Sequence, residues 1–438
     1  MMRLAKLRQR LQLTRILLDP RVTVRPLQIL RELRRRGVQR VPDGLLGGAR
    51  ARPPRRDVIR FVQRWLDGER LTRHRGQWVL NSFIPPFPGP GYLRMFENLL
   101  SGRHLSPVSA FLALTAACGY RCPHCSAVRP PGEGLSTAAW QSAIGQLKEL
   151  GASIIGLTGG EPTLRPDLEA LVSCAAGAGC ATILFSSGEG LANDPGLAAR
   201  LRRAGLWGCC ISLDAADASA HDRQRGHAGA FEAACAAVRL SRRTGFYTMA
   251  ASLATRDFVE RREFERVYAL ARRLGCDEYR LVEPMPCGRL AGAACGDLLT
   301  PEQTAGLRRF HVETNRRGRL PKVCAFNQVE SPEVFGCGAG TQHLYIDAAG
   351  NVCPCDFTPL AFGNVQREPL AAIWRRMNVA MGNNPRRHCF IQRYHHLLRP
   401  HLQHGLPLPP NLSETICRQA APEPLPDYFA MVMQGREP

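Results

Sequence analysis

Short apolar runs alternate with helical patterns through the middle of the chain, from about residue 107 to residue 283. Such runs predict strands and the stretches between them predict helices, so strand and helix repeat five times before a sixth strand. The predicted strands are Val108–Leu114, Ser153–Leu157, Thr182–Phe185, Cys209–Leu213, Thr248–Leu253 and Tyr279–Glu283. The predicted helices are Thr137–Leu150, Asp167–Ala176, Pro195–Arg203, Ala228–Arg243 and Phe258–Leu274.

This regular alternation indicates a parallel sheet. Crossovers between parallel strands are right-handed, so six βα units can curl into an open barrel. We therefore expect the α/β fold class, with a partial (β/α)6 barrel related to the TIM barrel. Functional residues of such barrels lie in the loops at the carboxyl ends of the strands.

Length and charge divide the rest of the chain. Its 438 residues predict two or three domains. Residues 1–105 hold 23 lysines and arginines against 7 acidic residues, which is +16 of the total formal charge of +21. The breaker-rich run Pro85–Gly91 marks a boundary before the barrel. The expected parts are a basic, mainly helical module at 1–105, the barrel at 106–300, a cysteine-bearing domain at 320–400 and a Pro-rich tail at 401–438.

The basic module is predicted to contain helices over residues 1–48 and 58–67 and a strand near residues 78–83. We expect it to cap the barrel with a solvated, arginine-rich face. Peripheral membrane contact is the first alternative, because basic amphipathic helices bind anionic lipid surfaces. Arginines beside Phe61, Trp65 and Trp78 would also suit nucleic acid, which is the least favoured partner.

The sequence contains no secretory signal and no apolar run of about 18 residues or more, so we expect a cytoplasmic protein. Seventeen cysteines in such a protein do not indicate a disulfide framework. In a reducing compartment they point first to metal or redox chemistry.

Three of these cysteines follow the first predicted strand in a C-x3-C-x2-C pattern, at Cys118, Cys122 and Cys125. Three thiolates on one loop can hold three irons of a 4Fe–4S cube and leave the fourth iron open to a ligand. A zinc knuckle with His124 as the fourth ligand is the alternative, although structural zinc sites usually pair two separated half-sites. A chance group of buried cysteines is the third reading.

The second predicted strand ends in Leu157-Thr-Gly-Gly-Glu-Pro162. Gly159 and Gly160 allow the backbone to approach a ligand closely, and the carboxylate of Glu161 can receive an ammonium group. A Gly-Gly pair alone is often only a turn. Its position on the loop beside the three cysteines makes it a candidate ligand site.

Together these residues resemble the radical S-adenosylmethionine (SAM) superfamily over residues 107–290. The cysteine loop resembles that family's cluster site, and Gly159-Gly160-Glu161-Pro162 resembles its SAM amino-group motif. His124 occupies a position where many members carry an aromatic residue. Further resemblances follow in order along the chain: Phe185-Ser-Ser-Gly188, Ile211-Ser-Leu-Asp214, His221-Asp222, Arg225-Gly226 and Gly229-Ala-Phe231.

The resemblance implies a role for each matched position. The three loop cysteines would ligate the 4Fe–4S cluster, and Glu161 would hold the SAM amino group. Ser212 and Ser187 would lie near the ribose or the carboxylate of SAM, and Asp214 belongs to the same element as Ser212. Arg225 would pair with the SAM carboxylate, with a surface arginine as the alternative. No catalytic side chain is assigned.

The cysteines beyond residue 320 resemble the SPASM/twitch extension of many radical SAM enzymes. The spacing from Cys337 through Gly350 to Cys355 carries the resemblance, with Phe362-Gly-Asn-Val365 and Ala372-Ile-Trp374. The later cysteine run of that extension is absent, so two full auxiliary clusters are not expected. We expect one auxiliary 4Fe–4S cluster held by Cys337, Cys355 and two of Cys324, Cys353 and Cys389. A cluster-free domain with buried thiols is the alternative.

The resemblance implies an enzyme that reductively cleaves SAM to a 5′-deoxyadenosyl radical and modifies a substrate by hydrogen abstraction. A peptide is the favoured substrate and a small molecule the alternative, and contact of the basic module with a membrane would favour a lipid-linked one. The resemblance also implies a reducing partner such as flavodoxin or ferredoxin. The rival hypothesis is a non-catalytic zinc or iron–sulfur module that acts on nucleic acid or a membrane through the basic arm.

Overall fold

The computed structural model describes residues 68–100, 103–127, 134–292 and 298–433, with the isolated positions Thr14, Leu18, Pro20, Phe61, Trp65 and Leu66. The predicted helices over residues 1–48 and 58–67 therefore fall largely outside the described residues. Among the described helices, none is long and apolar enough to cross a membrane.

The described strands are β1 (Thr72–His74), β2 (Gln77–Val79), β3 (Ser109–Ala113), β4 (Ile154–Thr158), β5 (Ala181–Ser186), β6 (Gly208–Ser212), β7 (Tyr247–Leu253), β8 (Glu278–Val282), β9 (Lys322–Ala325), β10 (His343–Ile346) and β11 (Val352–Cys353). The helices are α1 (Pro90–Leu100), α2 (Thr137–Leu150), α3 (Leu168–Gly177), α4 (Glu189–Asn193), α5 (Pro195–Arg203), α6 (Ala218–Arg225), α7 (Ala230–Thr244), α8 (Arg256–Glu260), α9 (Glu263–Leu274), α10 (Pro301–Arg316), α11 (Phe326–Val329), α12 (Leu370–Ala380), α13 (Phe390–Leu398), α14 (Pro410–Gln419) and α15 (Asp427–Met433). Short 3-10 helices lie at Pro162–Leu164, Gly288–Leu290 and Arg399–His404.

One nine-stranded sheet runs through the barrel and into the C-terminal part, in the order β11-β10-β3-β4-β5-β6-β7-β8-β9. Each neighbouring pair from β10 to β9 is parallel, and β11 alone is antiparallel to its neighbour. The carboxyl ends of β3, β4, β5 and β6 therefore lie side by side. The loops that carry the predicted motifs leave the sheet at these ends.

The α/β fold and its six predicted parallel strands are confirmed, whereas β9 and β10 were not predicted. β9 adds a strand beside β8, and β10 joins the other edge of the barrel beside β3. The predicted helix Phe258–Leu274 is divided between α8 and α9, because Arg262 has a left-handed φ of 53°. Helix α1 also begins inside the breaker-rich run, where Pro90 occupies a first helical position that tolerates proline.

Helix α2 illustrates how the sequence forms these elements. The side chain of Ser136 caps its first turn by accepting from Ala139 N, and Gly151 ends it in the left-handed conformation. Its apolar residues recur at helical spacing and are buried against the sheet: Trp140, Ala143, Ile144 and Leu147. Burial of each of the larger side chains contributes roughly 2 kcal/mol.

The described part of the basic module closes the amino end of the barrel. Val79, at the end of β2, packs against the strand residues Ile154, Ile183 and Tyr247. Lys322 on β9 donates through Nζ to the carbonyl oxygens of Val79 and Leu80 at 2.9 and 2.8 Å. These contacts agree with the expected cap.

Three aromatic residues of the basic module pack inward. Phe61 and Trp78 are buried, and the Trp65 ring lies edge-on to Phe335 with ring centroids 5.2 Å apart. Phe335 in turn packs on Tyr428 of α15, so the C-terminal tail folds back onto the same cluster. The packing of these rings disfavours their use in stacking on nucleic acid bases.

Candidate active site

The three loop cysteines follow β3 and are held by backbone contacts from two other segments. Arg121 N donates to the carbonyl oxygen of Arg225 at 3.1 Å. Arg289 donates twice, from its backbone N to Cys125 O at 2.9 Å and from Nη1 to Cys122 O at 2.8 Å. Cys122 is buried and the other two thiols are half-buried. The loop therefore has a fixed shape, with its thiols at the carboxyl end of the sheet.

His124 does not join the three thiols in the structure. Its Nε2 lies 3.4 Å from Asp214 Oδ2, on the loop after β6. A zinc knuckle needs the imidazole to face the thiolates, so this orientation disfavours the zinc alternative.

The two glycines after β4 are required by the cysteine loop. A Cβ on Gly159, whose φ is +131°, would meet Thr115 O at 2.4 Å, and a Cβ on Gly160 would meet Ala117 O at 2.1 Å. The close approach allows Gly160 N to donate to Thr115 O at 2.7 Å and Glu161 N to donate to Ala117 O at 2.8 Å. The glycines therefore join the two loops through their backbones, and their close approach to a ligand stays a prediction.

Glu161 is 3 % exposed, and donors of the chain surround its carboxylate. Oε1 accepts from Thr163 Oγ1 at 2.7 Å and from Ser186 Oγ at 2.8 Å. Oε2 accepts from Ser187 Oγ at 2.7 Å and from Ser187 N at 2.8 Å. These bonds hold the negative charge in one orientation beside the cysteine loop.

The sequence assigned no role to Thr163 or Ser186, although Thr163 follows one recognised motif and Ser186 lies within another. Ser186 ends β5, directly before the predicted residue Ser187. Because β4 and β5 are parallel neighbours, the residues that follow each strand meet at one edge. That register is the signal that would have found Ser186.

Asp214 and Arg225 form a buried ion pair, with Nη2 2.7 Å from Oδ2. Burial alone would raise the pKa of Asp214, but the Arg225 charge and the hydrogen bond from His124 outweigh it and hold that pKa well below its usual range. Arg225 Nη1 also donates to Cys122 Sγ at 3.6 Å. The side chain of Arg225 is 14 % exposed, which excludes the surface-arginine alternative.

His221 contacts the same ion pair through the backbone of Asp214. Its Nδ1 accepts from Asp214 N at 3.1 Å, which requires this nitrogen to be unprotonated. Burial lowers the pKa of His221 to about 4. The imidazole is therefore a neutral acceptor that fixes the turn after β6.

One cavity of about 260 Å³ unites the predicted residues. Its lining includes all ten positions assigned to the first cluster and to SAM, from the three loop cysteines to Ser212 and Arg225. The donor set fits a cluster and SAM chemically: three thiols, a buried carboxylate, hydroxyl groups and a buried guanidinium.

A second, larger cavity of about 740 Å³ continues from the first, toward the basic module and the C-terminal domain. Both cavities share Phe111, Arg280, Met285 and Phe326 in their linings. The walls of the larger cavity are mainly apolar and aromatic, with residues such as Leu80, Phe83, Ile84, Met95, Phe96 and Tyr428. Arg280, which is 2 % exposed, lies over the rings of Phe83, Phe185 and Phe326 at 5.0–5.3 Å.

The C-terminal cysteines divide into two groups. The interaction between the Cys337 and Cys389 thiols lowers the pKa of Cys337 and raises that of Cys389. Cys355 lines the larger cavity with both of them. Cys324 instead lies on β9 beside Lys322, and its pKa is raised by burial and by Glu278. Cys353 packs on β11 with Ala113, Tyr345 and Ala361.

The comparisons with known proteins agree with this site. Residues 112–271 match the family model of the radical SAM superfamily, and residues 337–395 match SPASM, an iron–sulfur cluster-binding domain. The chain is 28 % identical over 292 residues to the AdoMet-dependent heme synthase of Methanosarcina barkeri, covering 61 % of this chain and 81 % of the relative. It is 30 % identical over 279 residues to the PqqA peptide cyclase of Gluconobacter oxydans, covering 61 % of this chain and 72 % of the relative.

Among solved structures, the fold is similar to Streptococcus suis SuiB bound to precursor peptide SuiA. The TM-score is 0.52 at 14 % identity, over 65 % of this chain and 69 % of the other. At that identity the likeness concerns the fold alone. The family matches and the relatives set aside the non-catalytic binding module, and the chain belongs to the radical SAM superfamily, as an enzyme with a SPASM domain that uses a 4Fe–4S cluster and SAM.

Proposed function

We propose that this radical SAM enzyme abstracts a hydrogen atom from an apolar small molecule held in the larger cavity. The observation that carries the proposal is the continuity of that cavity with the one lined by the cysteine loop and Glu161. Apolar and aromatic walls favour a ligand that loses little hydration on entry. When bound, the cluster and SAM supply the 5′-deoxyadenosyl radical that takes the hydrogen.

The residues at the smaller cavity are proposed to bind and orient these groups. Cys118, Cys122 and Cys125 would ligate the cluster, and Arg225 would stabilise the Cys122 thiolate through its hydrogen bond. Glu161, already oriented by hydroxyl donors, would receive the SAM amino group. The remaining residues assigned to SAM from the sequence line the same cavity: Gly159, Gly160, Ser187, Ser212 and Asp214.

The SPASM domain is proposed to hold one auxiliary cluster through Cys337, Cys355 and Cys389. All three thiols line the larger cavity, which supports a cluster at its wall. A reducing partner such as flavodoxin or ferredoxin is proposed to supply the electron that SAM cleavage consumes. The four expected parts of the chain, including the basic module at 1–105, are retained as the proposed domain organisation.

A peptide is the second candidate substrate. A relative favours it, because that relative is named a PqqA peptide cyclase. The two candidates differ in where the abstracted hydrogen comes from.

The origin of that hydrogen distinguishes them by isotope transfer. Cells that carry the gene are grown in deuterated medium, and their extract is divided into an organic-solvent fraction and a peptide fraction. The reconstituted enzyme then receives SAM, a reductant and one fraction, and 5′-deoxyadenosine is analysed by mass spectrometry. Deuterium transferred from the organic fraction supports the apolar small molecule, whereas transfer only from the peptide fraction supports the peptide.

A variant of the larger cavity tests whether the substrate binds there. Met95 lines the larger cavity and does not line the smaller one. Met95→Trp should reduce deuterium transfer, because the larger side chain occupies the substrate volume. Undeuterated 5′-deoxyadenosine from uncoupled SAM cleavage should persist in this variant.

Peripheral membrane contact is part of the same proposal. The formal charge of +16 over residues 1–105 favours anionic lipid, and a membrane is the usual source of an apolar molecule. The enzyme should co-sediment with phosphatidylglycerol vesicles, less so at high salt, and should not co-sediment with phosphatidylcholine vesicles. Equal behaviour with both vesicles would remove this part of the proposal.

A further inference from the structure

Among the described residues, three of the five C-terminal cysteines that the sequence assigned to the auxiliary cluster line one cavity. They are Cys337, Cys355 and Cys389, whereas Cys324 lies on β9 and Cys353 packs with Ala113, Tyr345 and Ala361. A 4Fe–4S cube held only by protein side chains needs four of them. Neither Cys324 nor Cys353 lines this cavity, so the candidates for a fourth ligand are residues of another type among the described residues that do.

His343 lies close to Cys355. One atom each from His343, Cys355 and Asp356 lies within 4.8 Å of the others, and His343 lines the same cavity as the three thiols. Its Nε2 is buried without a hydrogen-bond partner among the described residues, and the nearby Asp356 Oδ1 is 3.5 Å away. An imidazole beside the Cys355 thiol is an available metal ligand.

The imidazole is also held in a ligand-like orientation. His343 begins β10 and pairs with Ser109 of β3 in the sheet register. Its Nδ1 lies 2.8 Å from Ser109 Oγ, and the Phe111 ring lies edge-on to it at 4.9 Å. Metal-ligating histidines generally donate their second ring N–H to a neighbouring acceptor, which fixes the tautomer that leaves Nε2 free to bind.

We propose that His343 is the fourth protein ligand of the auxiliary iron–sulfur cluster, through Nε2. The inference rests on the proposed auxiliary cluster at Cys337, Cys355 and Cys389. Histidine ligation of iron–sulfur clusters is established in Rieske centres, where imidazole in place of thiolate raises the reduction potential. Asp356 is the competing ligand in the same group, and the test must distinguish its carboxylate from the imidazole.

Pulsed EPR on the reconstituted, reduced full-length protein tests the ligand directly. SAM is omitted so that its amino nitrogen contributes no coupling, and the protein is prepared with natural and with ¹⁵N-labelled histidine. The expected result is a strong nitrogen coupling that changes on histidine labelling. It should vanish in His343→Cys and persist in His124→Gln, a matched control beside the other cluster.

Iron content separates this inference from the proposal on which it rests. Wild-type protein should hold about eight irons, His343→Ala fewer, and His343→Cys the wild-type number with a more negative midpoint potential. About eight irons without a histidine coupling would overturn the His343 assignment alone, as would iron loss in Asp356→Ala with full iron in His343→Ala. About four irons would overturn the auxiliary cluster as well, while leaving 5′-deoxyadenosine formation as a separate measure of the enzyme activity.

Discussion

Arg225 and Asp214 form an ion pair of 2.7 Å inside the protein, and the same guanidinium donates to the sulfur of Cys122. The two residues are eleven positions apart: Asp214 lies in the turn after β6, and Arg225 is the last residue of α6. Asp214 is 1 % exposed, so its charge depends on this partner. One arginine thus links the carboxylate after β6 to a thiol of the cysteine loop.

Removal of the Arg225 side chain should therefore lower the free energy of unfolding. Arg225→Met leaves a buried carboxylate without its partner, and we expect the free energy of unfolding to fall by about 3–5 kcal/mol. Arg261→Met breaks an exposed pair with Asp257 and should change it by about 0.5 kcal/mol or less. Guanidinium chloride unfolding measures both variants, with Asp214→Asn/Arg225→Met expected to recover part of the loss. Equal stability of Arg225→Met and Arg261→Met would refute this role of the pair.

Stability should depend on pH through His221. Its folded-state pKa of about 4 lies below the unfolded value of about 6.5, so the unfolded chain binds the proton more readily between these values. The free energy of unfolding is therefore unaffected above about pH 6.5 and decreases by up to about 3 kcal/mol as the pH falls to about 4.

His221→Asn isolates this contribution. Asparagine retains a short acceptor for Asp214 N but does not titrate. Unfolding curves of the two proteins at pH 5 to 8 should converge as the pH falls, because only the wild type loses this contribution. His74, whose pKa burial also lowers to about 4, is common to both proteins. Parallel curves would show that His221 is not the titrating group.

The glycine contact between the two site loops gives a third prediction. A Cβ on Gly160 would meet a backbone oxygen of the cysteine loop, whereas a Cβ on Gly145 of α2 would meet nothing within 4 Å. Gly160→Ala should displace the cysteine loop and lower the iron retained after reconstitution. Gly145→Ala should retain full iron and stabilise the helix by about 0.5–1 kcal/mol. Full iron in Gly160→Ala would show that the loops need not approach so closely.

The auxiliary ligand set gives a fourth prediction. Cys324, Cys353 and Cys389 were all candidates, and of these three only Cys389 lines the larger cavity with Cys337 and Cys355. Cys389→Ser should lower the iron content by about four, while Cys324→Ser and Cys353→Ser should retain it. Iron and sulfide analysis of the three purified variants measures this. Iron loss in Cys324→Ser would contradict this prediction and indicate that Cys324 is a cluster ligand.

The sequence predicted the cysteine loop and the Gly159-Gly160-Glu161 loop because each is a local motif after a strong apolar strand. It did not predict β9 and β10, which are short and lie beyond the regular alternation. The contacts that Glu161 and Arg225 make were not predicted for another reason. They depend on which strands are neighbours in the sheet, and spacing along the chain does not reveal this.

The auxiliary site shows the same limit. Cys324 and Cys389 are equivalent in a sequence count, but one lies on a strand in the barrel and the other at the start of α13 beside Cys337. His343 is 46 residues before Cys389 and belongs to no recognised spacing. The pairing of β10 with β3 places its imidazole in the lining of the cavity that the three thiols also line.

The most direct test of the account is SAM cleavage by the anaerobically reconstituted enzyme. The protein is loaded with iron and sulfide, both are quantified, and dithionite and SAM are added. We predict about eight irons per chain and formation of 5′-deoxyadenosine, which Cys118→Ala should abolish. Zinc in place of iron, with SAM left intact, would contradict the central claim.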